Sequence, residues 1–228
     1  MIAEALEKND DVKLEEFYAS RDRLEDPGME AMAKVFSKQK CLRKIEVYQN
    51  GSKKGLRALL LSLAECKDTL KSVNIQDNKS INKAVDELIT FIGACKELEY
   101  LNISDNKMRK KYCKKVIPAI MQALKDGSKL SDFQWNFDLA CSSTLAKQFL
   151  SELSEVDSNL KKVALAGVFQ LRETRGTLKE SLQSKNIDLE LFKPDFTDDE
   201  SEDHDNSEEE SQASDKSDSA TNSEDEEN

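Results

Sequence analysis

Apolar and polar residues alternate in six short phrases: LEEFYASRD from Leu14, LRKIEVYQN from Leu42, LKSVNIQDN from Leu70, LEYLNISDN from Leu98, LSDFQWNFD from Leu130 and LKKVALAGV from Leu160. The first four begin 28 residues apart, and the later gaps are 32 and 30. Alternation of this kind predicts a short strand with one buried face. With the opening leucine as position zero, position three holds Phe17, Ile45, Val73, Leu101, Phe133 and Val163. Position five holds Ala19, Val47, Ile75, Ile103, Trp135 and Leu165. These columns are expected to stack as layers of one core, because a lone repeat cannot bury its own apolar face.

Between the phrases the period changes. Ala31, Met32, Val35 and Phe36 fall on one helical face, as do Ala58, Leu59 and Leu63, then Leu88, Phe91 and Ile92, then Val116, Ile117, Ile120, Met121 and Leu124. Gly28 and Gly55 are placed just ahead of two of these helices, where a turn is needed. Pro118 removes a hydrogen bond from any helix that contains it, so that helix is predicted to start late or to bend. Position eight holds Asp22, Asn50, Asn78, Asn106, Asp138 and Val168. A short amide or carboxylate there bonds backbone groups where the strand turns away, so a structural ladder is expected.

The ends read differently. Met1 to Lys8 has the pattern of an amphipathic helix with no strand before it, so the array opens in mid-repeat and further repeats are expected upstream. Leu171–Leu182 is predicted as a final helix and Leu189–Phe196 as a closing edge strand stopped by Pro194.

A strand and a helix in every repeat, at this spacing and with an L-x-x-L-x-L-x-x-N phrase, carry the signature of leucine-rich repeats. The expected fold class is α/β, a leucine-rich-repeat solenoid of the ribonuclease-inhibitor-like horseshoe type. Residues 1–196 are assigned to it. Residues 197–228 are assigned to an acidic tail, since a Ser/Asp/Glu run cannot bury enough apolar area to offset chain entropy and is predicted to be disordered.

Charge separates the same two parts. The chain carries −11, yet Asp198–Asn228 holds 15 acidic residues and one Lys, leaving 33 basic and 30 acidic residues before it. Such a tail is expected to attract a basic partner at long range and to speed encounter at low salt, or simply to keep the chain in solution. Ser207 and Ser223 lie in the acidic surroundings that acid-directed kinases favour. Five cysteines, Cys41, Cys66, Cys95, Cys113 and Cys141, are spread without a C-x-x-C pair. That arrangement argues against a disulfide framework and a zinc site, and for small core residues in a reducing compartment. With no long apolar run and no signal pattern, a cytosolic or nuclear protein is expected.

Chemistry is sparse. The only histidine, His204, lies in the acidic run, so histidine-based catalysis is not expected in the repeats. No phosphate-binding glycine motif occurs, no cofactor is expected, and the chain is not expected to be an enzyme in its own right. What remains is surface. On the strands, Glu16, Tyr18, Ser20, Lys44, Glu46, Tyr48, Ser72, Asn74, Gln76, Tyr100, Asn102 and Ser104 face the hollow, with three exposed tyrosines expected. At the strand-to-helix rim lie Arg21, Arg23, Glu25, Asn50, Lys53, Lys54, Lys79, Lys107, Arg109, Lys110 and Lys111. The basic run after Asn106 lacks a recognised nucleic-acid motif, so nucleic acid is not the expected partner.

The stretches SRDRLEDPGMEAMAKVF (Ser20–Phe36), YQNG (Tyr48–Gly51) with its Gly-Leu helix start, and IQDN (Ile75–Asn78) resemble the later repeats of the Ran GTPase-activating proteins. An acidic run after the last repeat is similar to theirs as well. The chain departs from their pattern at QNGSKKG, one residue shorter than the usual turn, with Ser52 where an apolar residue is expected. The resemblance implies a GTPase activator for Ran in nucleocytoplasmic transport, located in the cytoplasm and at the nuclear envelope. Its partners would be the small GTPase and that GTPase's own binding protein. Such activators supply no arginine finger; an asparagine in an N-N-G-type turn of an earlier repeat helps the GTPase orient its water. That turn has no equivalent here, so no catalytic residue is assigned. Arg21, Asp22, Arg23, Glu25 and Asn50 are the candidate partner contacts. Two other classes remain open: an inhibitor-type module with a client in the hollow, and an acidic histone-binding nuclear protein. The latter's repeats are typically about 23 residues, which the spacing here exceeds.

Overall fold

The computed structural model describes residues 2–9, 11–50, 54–78, 81–167 and 175–191. Met1–Asp195 form one compact unit; the second unit, Phe196–Asn228, lies outside the described residues, and with it the expectation for the acidic tail. Within the first unit helix and strand alternate: α1 (Ile2–Glu7), β1 (Glu16–Tyr18), α2 (Glu25–Phe36), β2 (Lys44–Glu46), α3 (Gly55–Ala64), β3 (Ser72–Asn74), α4 (Val85–Ala94) and β4 (Tyr100–Asn102). Then follow α5 (Lys110–Lys125), β5 (Asp132–Gln134), α6 (Ser143–Glu155), β6 (Lys162–Ala164), α7 (Arg175–Gln183) and β7 (Asp188–Glu190).

The seven strands form one parallel sheet in strict chain order, an α/β architecture of solenoid-like form. Parallel neighbours need a crossover, and each interval supplies a helix for it. The register repeats from strand to strand. Phe17 pairs with Ile45, Ile45 with Val73, Val73 with Leu101, Leu101 with Phe133, Phe133 with Val163 and Val163 with Leu189. Position three is therefore one continuous row. Position five forms the next, with Val47, Ile75, Ile103, Trp135 and Leu165 all fully buried. Its N–H groups continue the ladder: Val47 donates to the Asn74 carbonyl at 2.9 Å, Ile75 to Asn102 and Ile103 to Gln134, each at 3.0 Å.

The 32-residue repeat places its extra length in α5, which has 16 residues where α3 and α4 have 10. The sheet side fills with larger groups there. Phe133, Trp135 and Phe149 meet edge to face, with centroids 6.0–6.1 Å apart, an arrangement that suits the ring quadrupoles. Of the two outcomes expected at Pro118, a late start does not occur: α5 begins eight residues before it and continues past it. Both Pro118 and Lys114, whose carbonyl loses its i+4 partner, are exposed, so that carbonyl is accessible to solvent.

Two further differences have local causes. Gly28 lies inside the first turn of α2 rather than ahead of it, where a Cβ would come within 3.1 Å of the Leu24 Cβ. The last strand starts at Asp188, and its rung opens on exposed Asn186 at φ 60° instead of a leucine. The final helix is described from Arg175, and residues 171–174 and 192–196 lie outside the described residues.

Candidate functional site

The first six strands leave the sheet through the same turn. The residue at position seven takes positive φ in all six phrases: Arg21 66°, Gln49 58°, Asp77 49°, Asp105 51°, Phe137 69° and Gly167 85°. The ladder imposes this geometry. Arg21 N–H donates to the Tyr48 carbonyl at 3.0 Å, Gln49 to Gln76 at 3.3 Å, Asp77 to Ser104 and Asp105 to Asn136 at 2.9 Å, and Phe137 to Ala166 at 2.8 Å.

Position eight sits beneath the turns as the predicted ladder. Asn50 N–H donates to Asn78 Oδ1 at 3.2 Å, and Asn78 N–H to Asn106 Oδ1 at 2.8 Å. Asn106 N–H donates to Asp138 Oδ2 at 3.2 Å, while Asp138 Oδ1 accepts the Met108 N–H at 2.8 Å. The amide nitrogens are used too: Asn50 Nδ2 donates to the Ala19 carbonyl at 2.6 Å and Asn78 Nδ2 to the Val47 carbonyl at 2.9 Å. Burial pushes the Asp138 carboxyl up to about 6, and the N–H groups of Met108 and Asn106 act in the opposite sense. The Trp135 Nε1 N–H is buried without a hydrogen-bond partner among the described residues.

The first rung departs from the pattern. Asp22 is exposed rather than a ladder member; Leu24 N–H takes the Asn50 side-chain oxygen at 3.3 Å, and Glu25 N–H takes the Asn50 carbonyl at 3.1 Å. Three left-handed residues, Arg21, Arg23 (φ 50°) and Glu25 (φ 51°), wrap residues 21–25 around Asn50. Asp26 then reaches forward and accepts from the N–H groups of Lys54 and Gly55, capping α3 in the next repeat. Asn82 does the same for α5, accepting the Arg109 N–H at 2.8 Å.

Four of the five expected contact residues, Arg21, Asp22, Arg23 and Glu25, thus share one fixed, exposed turn. Arg21 Nε donates to Gln49 Oε1 at 2.6 Å, which orients the guanidinium along the row. The fifth is corrected. Asn50 is 1% exposed, and its amide is spent on the ladder, so it supports the edge from below and offers no side chain to a partner.

The open face of the sheet also differs from expectation. Only Tyr18 is exposed among its three tyrosines; Tyr48 and Tyr100 are half-buried. Asn102 and Ser104 are buried; Asn102 Nδ2 donates to Gln76 Oε1 at 2.8 Å and to Gln134 Oε1 at 3.2 Å, and Ser104 Oγ accepts the Asn136 N–H at 2.9 Å. A self-bonded amide strip therefore closes the centre. At its first strands, Tyr18 OH donates to Glu16 Oε2 at 2.6 Å, and Lys44 Nζ stands 5.0 Å from the Tyr18 ring centre and 2.9 Å from Glu46. The Glu16 hydrogen bond raises the Tyr18 phenol, and the Glu46 hydrogen bond raises the Lys44 ammonium.

Lys107, Arg109, Lys110 and Lys111 are exposed; Lys53, Lys79 and His204 lie outside the described residues. Among the described residues no cluster of three or more His, Cys, Asp or Glu side chains could hold a metal, and no helix is long and apolar enough to cross a membrane. Cys66 and Cys95 are packed against carbonyls of the preceding repeat, and burial pushes their thiols up to about 11 and about 12. Such thiols are core residues rather than nucleophiles. Position seven itself carries a residue that the sequence reading left out, the exposed Phe137. Aligning the six phrases on that column is the signal that picks it out. The chain matches no model of a known protein family, and no curated protein matches it.

Proposed function

We propose that the repeats form a leucine-rich-repeat horseshoe, and that the chain is the partner-binding part of an activator of a Ran-like small GTPase. It would serve nucleocytoplasmic transport from the cytoplasm. In this reading the chain contributes contact and orientation, not a reacting group. The observation that carries it is the turn at residues 21–25, the segment in which the sequence resembles Ran GTPase-activating proteins most specifically. It is bent at three non-glycine residues, tied to Asn50 and left with four charged side chains in solvent. Left-handed backbone at non-glycine residues is costly and is kept where a surface must hold one shape. Asn50, the asparagine closest to an N-N-G-type turn, is occupied within the ladder, which speaks against a catalytic role for it and leaves contact to the exposed residues of the turn above it. A client in the hollow finds less support, since the amide strip already uses its own donors.

Single-turnover hydrolysis of GTP on the purified GTPase tests the division of labour. The expected result is binding of the chain with little acceleration. Acceleration comparable to a complete activator would contradict it, and so would a chain that leaves the GTPase unbound.

A further inference from the structure

Phe137 sits where a phenylalanine fits badly. The ladder forces a left-handed backbone at position seven, and Asp77, Asp105 and Gly167 meet that demand with residues that tolerate it. Phe137 meets it with an aromatic ring that is 55% exposed, so the ring adds little to the core. The ring is nevertheless seated. A Cβ on Gly167 would come within 2.9 Å of Phe137 Cδ1, so the absence of a side chain in the next rung gives the ring its resting place. An exposed aromatic in a strained turn, held by a neighbouring glycine, has the properties of an interface anchor.

Its surroundings define what it would meet. Along the same row stand the half-buried carboxylates Asp105 and Asp77, then Gln49 and Arg21. Parallel strands are spaced ~4.8 Å apart, which puts Phe137 and Arg21, four rungs distant, roughly 19 Å from each other. A single protein partner covers that span. We propose that Phe137 is the apolar anchor of the edge that Arg21 and Arg23 begin. The partner segment it receives is a Lys or Arg whose stem lies on the ring and whose charged head faces Asp105. This inference rests on the GTPase reading above and names the second contact of that same partner.

The test is equilibrium binding of the GTP-loaded GTPase to the wild-type chain and to Phe137→Asn, Asp105→Asn and Arg21→Glu, each with its thermal unfolding midpoint. Asparagine suits the left-handed turn, so Phe137→Asn is expected to keep or raise the midpoint while weakening binding at least about tenfold. Asp105→Asn is expected to weaken it severalfold. Wild-type affinity in Phe137→Asn, with binding lost in Arg21→Glu, overturns the anchor and leaves the GTPase reading standing. A markedly lower midpoint in Phe137→Asn assigns the ring to stability and overturns it as well. Unchanged affinity in Asp105→Asn removes the cation from the partner's description. A wild-type chain that does not bind the GTPase refutes that reading and this contact with it.

Discussion

Asn50 and Asn78, 28 residues apart, are joined main chain to side chain at 3.2 Å, and both are buried. The bond ties two rungs together in both directions, because Asn78, which receives the Asn50 N–H, also donates to the Val47 carbonyl of that same rung. Truncating Asn78 to Ala leaves the Asn50 N–H and the Val47 carbonyl without their side-chain partner. A loss of about 2–4 kcal/mol is expected, since buried groups left unpaired carry their full desolvation cost. Urea unfolding measures it, and a loss under about 1 kcal/mol would mean the ladder is not holding the stack.

Asp138 makes the ladder pH-dependent. Its folded-state value of about 6 lies above its ordinary value of 3.8, so the folded chain holds this proton more tightly than the unfolded one. Below pH ~4 both states are protonated and the group contributes no difference. As pH rises from about 4 to about 6 the unfolded chain ionises first, and stability falls by an amount on the order of 2–3 kcal/mol. Asp138→Asn removes that dependence, and it also loses one of the two N–H bonds the carboxylate accepts. Stability curves of the two proteins are therefore expected to diverge across pH 4–6. Parallel curves would show that Asp138 does not titrate in this window.

Repeat periodicity makes the stack legible from the sequence. Ile45, Val73 and Phe133, and Val47, Ile75 and Ile103, were placed by spacing alone, and position eight by the chemistry of a short amide at a turn. Elsewhere tertiary detail decides. Asp22 matches the ladder column but belongs to the first rung, where the wrapped turn substitutes Leu24 for it. Tyr48 and Tyr100 lie at outward positions of the alternation, yet both are half-buried. Asn50 was read both as ladder and as surface, and only burial separates the two. The last rung is not legible from the leucine pattern, because Asn186 stands where the other rungs open on leucine.

Pro118 gives a prediction of opposite sign to most substitutions. It lies on the exposed face of α5, and its missing N–H leaves the Lys114 carbonyl to water. Replacement by Ala restores that bond and improves helix propensity, partly offset by a more flexible unfolded chain. A gain of about 1–2 kcal/mol is expected. A lower unfolding midpoint in Pro118→Ala would show that the ring packs usefully where it lies.

The buried thiols provide a probe of cooperativity. Cys66 and Cys95 are raised to about 11 and about 12 by burial and are shut away from solvent. Under native conditions their labelling is expected to follow global unfolding, with both sites modified at one rate in denaturant. Rapid labelling of either in the absence of denaturant would indicate local opening between α3 and α4.

The exposed turn at residues 21–25 is the proposed site of contact with the GTPase. Its most direct test is an equilibrium titration of the GTP-loaded Ran-like GTPase with the wild-type chain and with the double variant Arg21→Glu, Arg23→Glu, whose unfolding midpoints are expected to agree because both side chains lie in solvent. Saturable wild-type binding that weakens at least about tenfold in the variant, or roughly 1.4 kcal/mol, is the predicted result. Equal affinity for the two proteins, or no binding by the wild type, would contradict it.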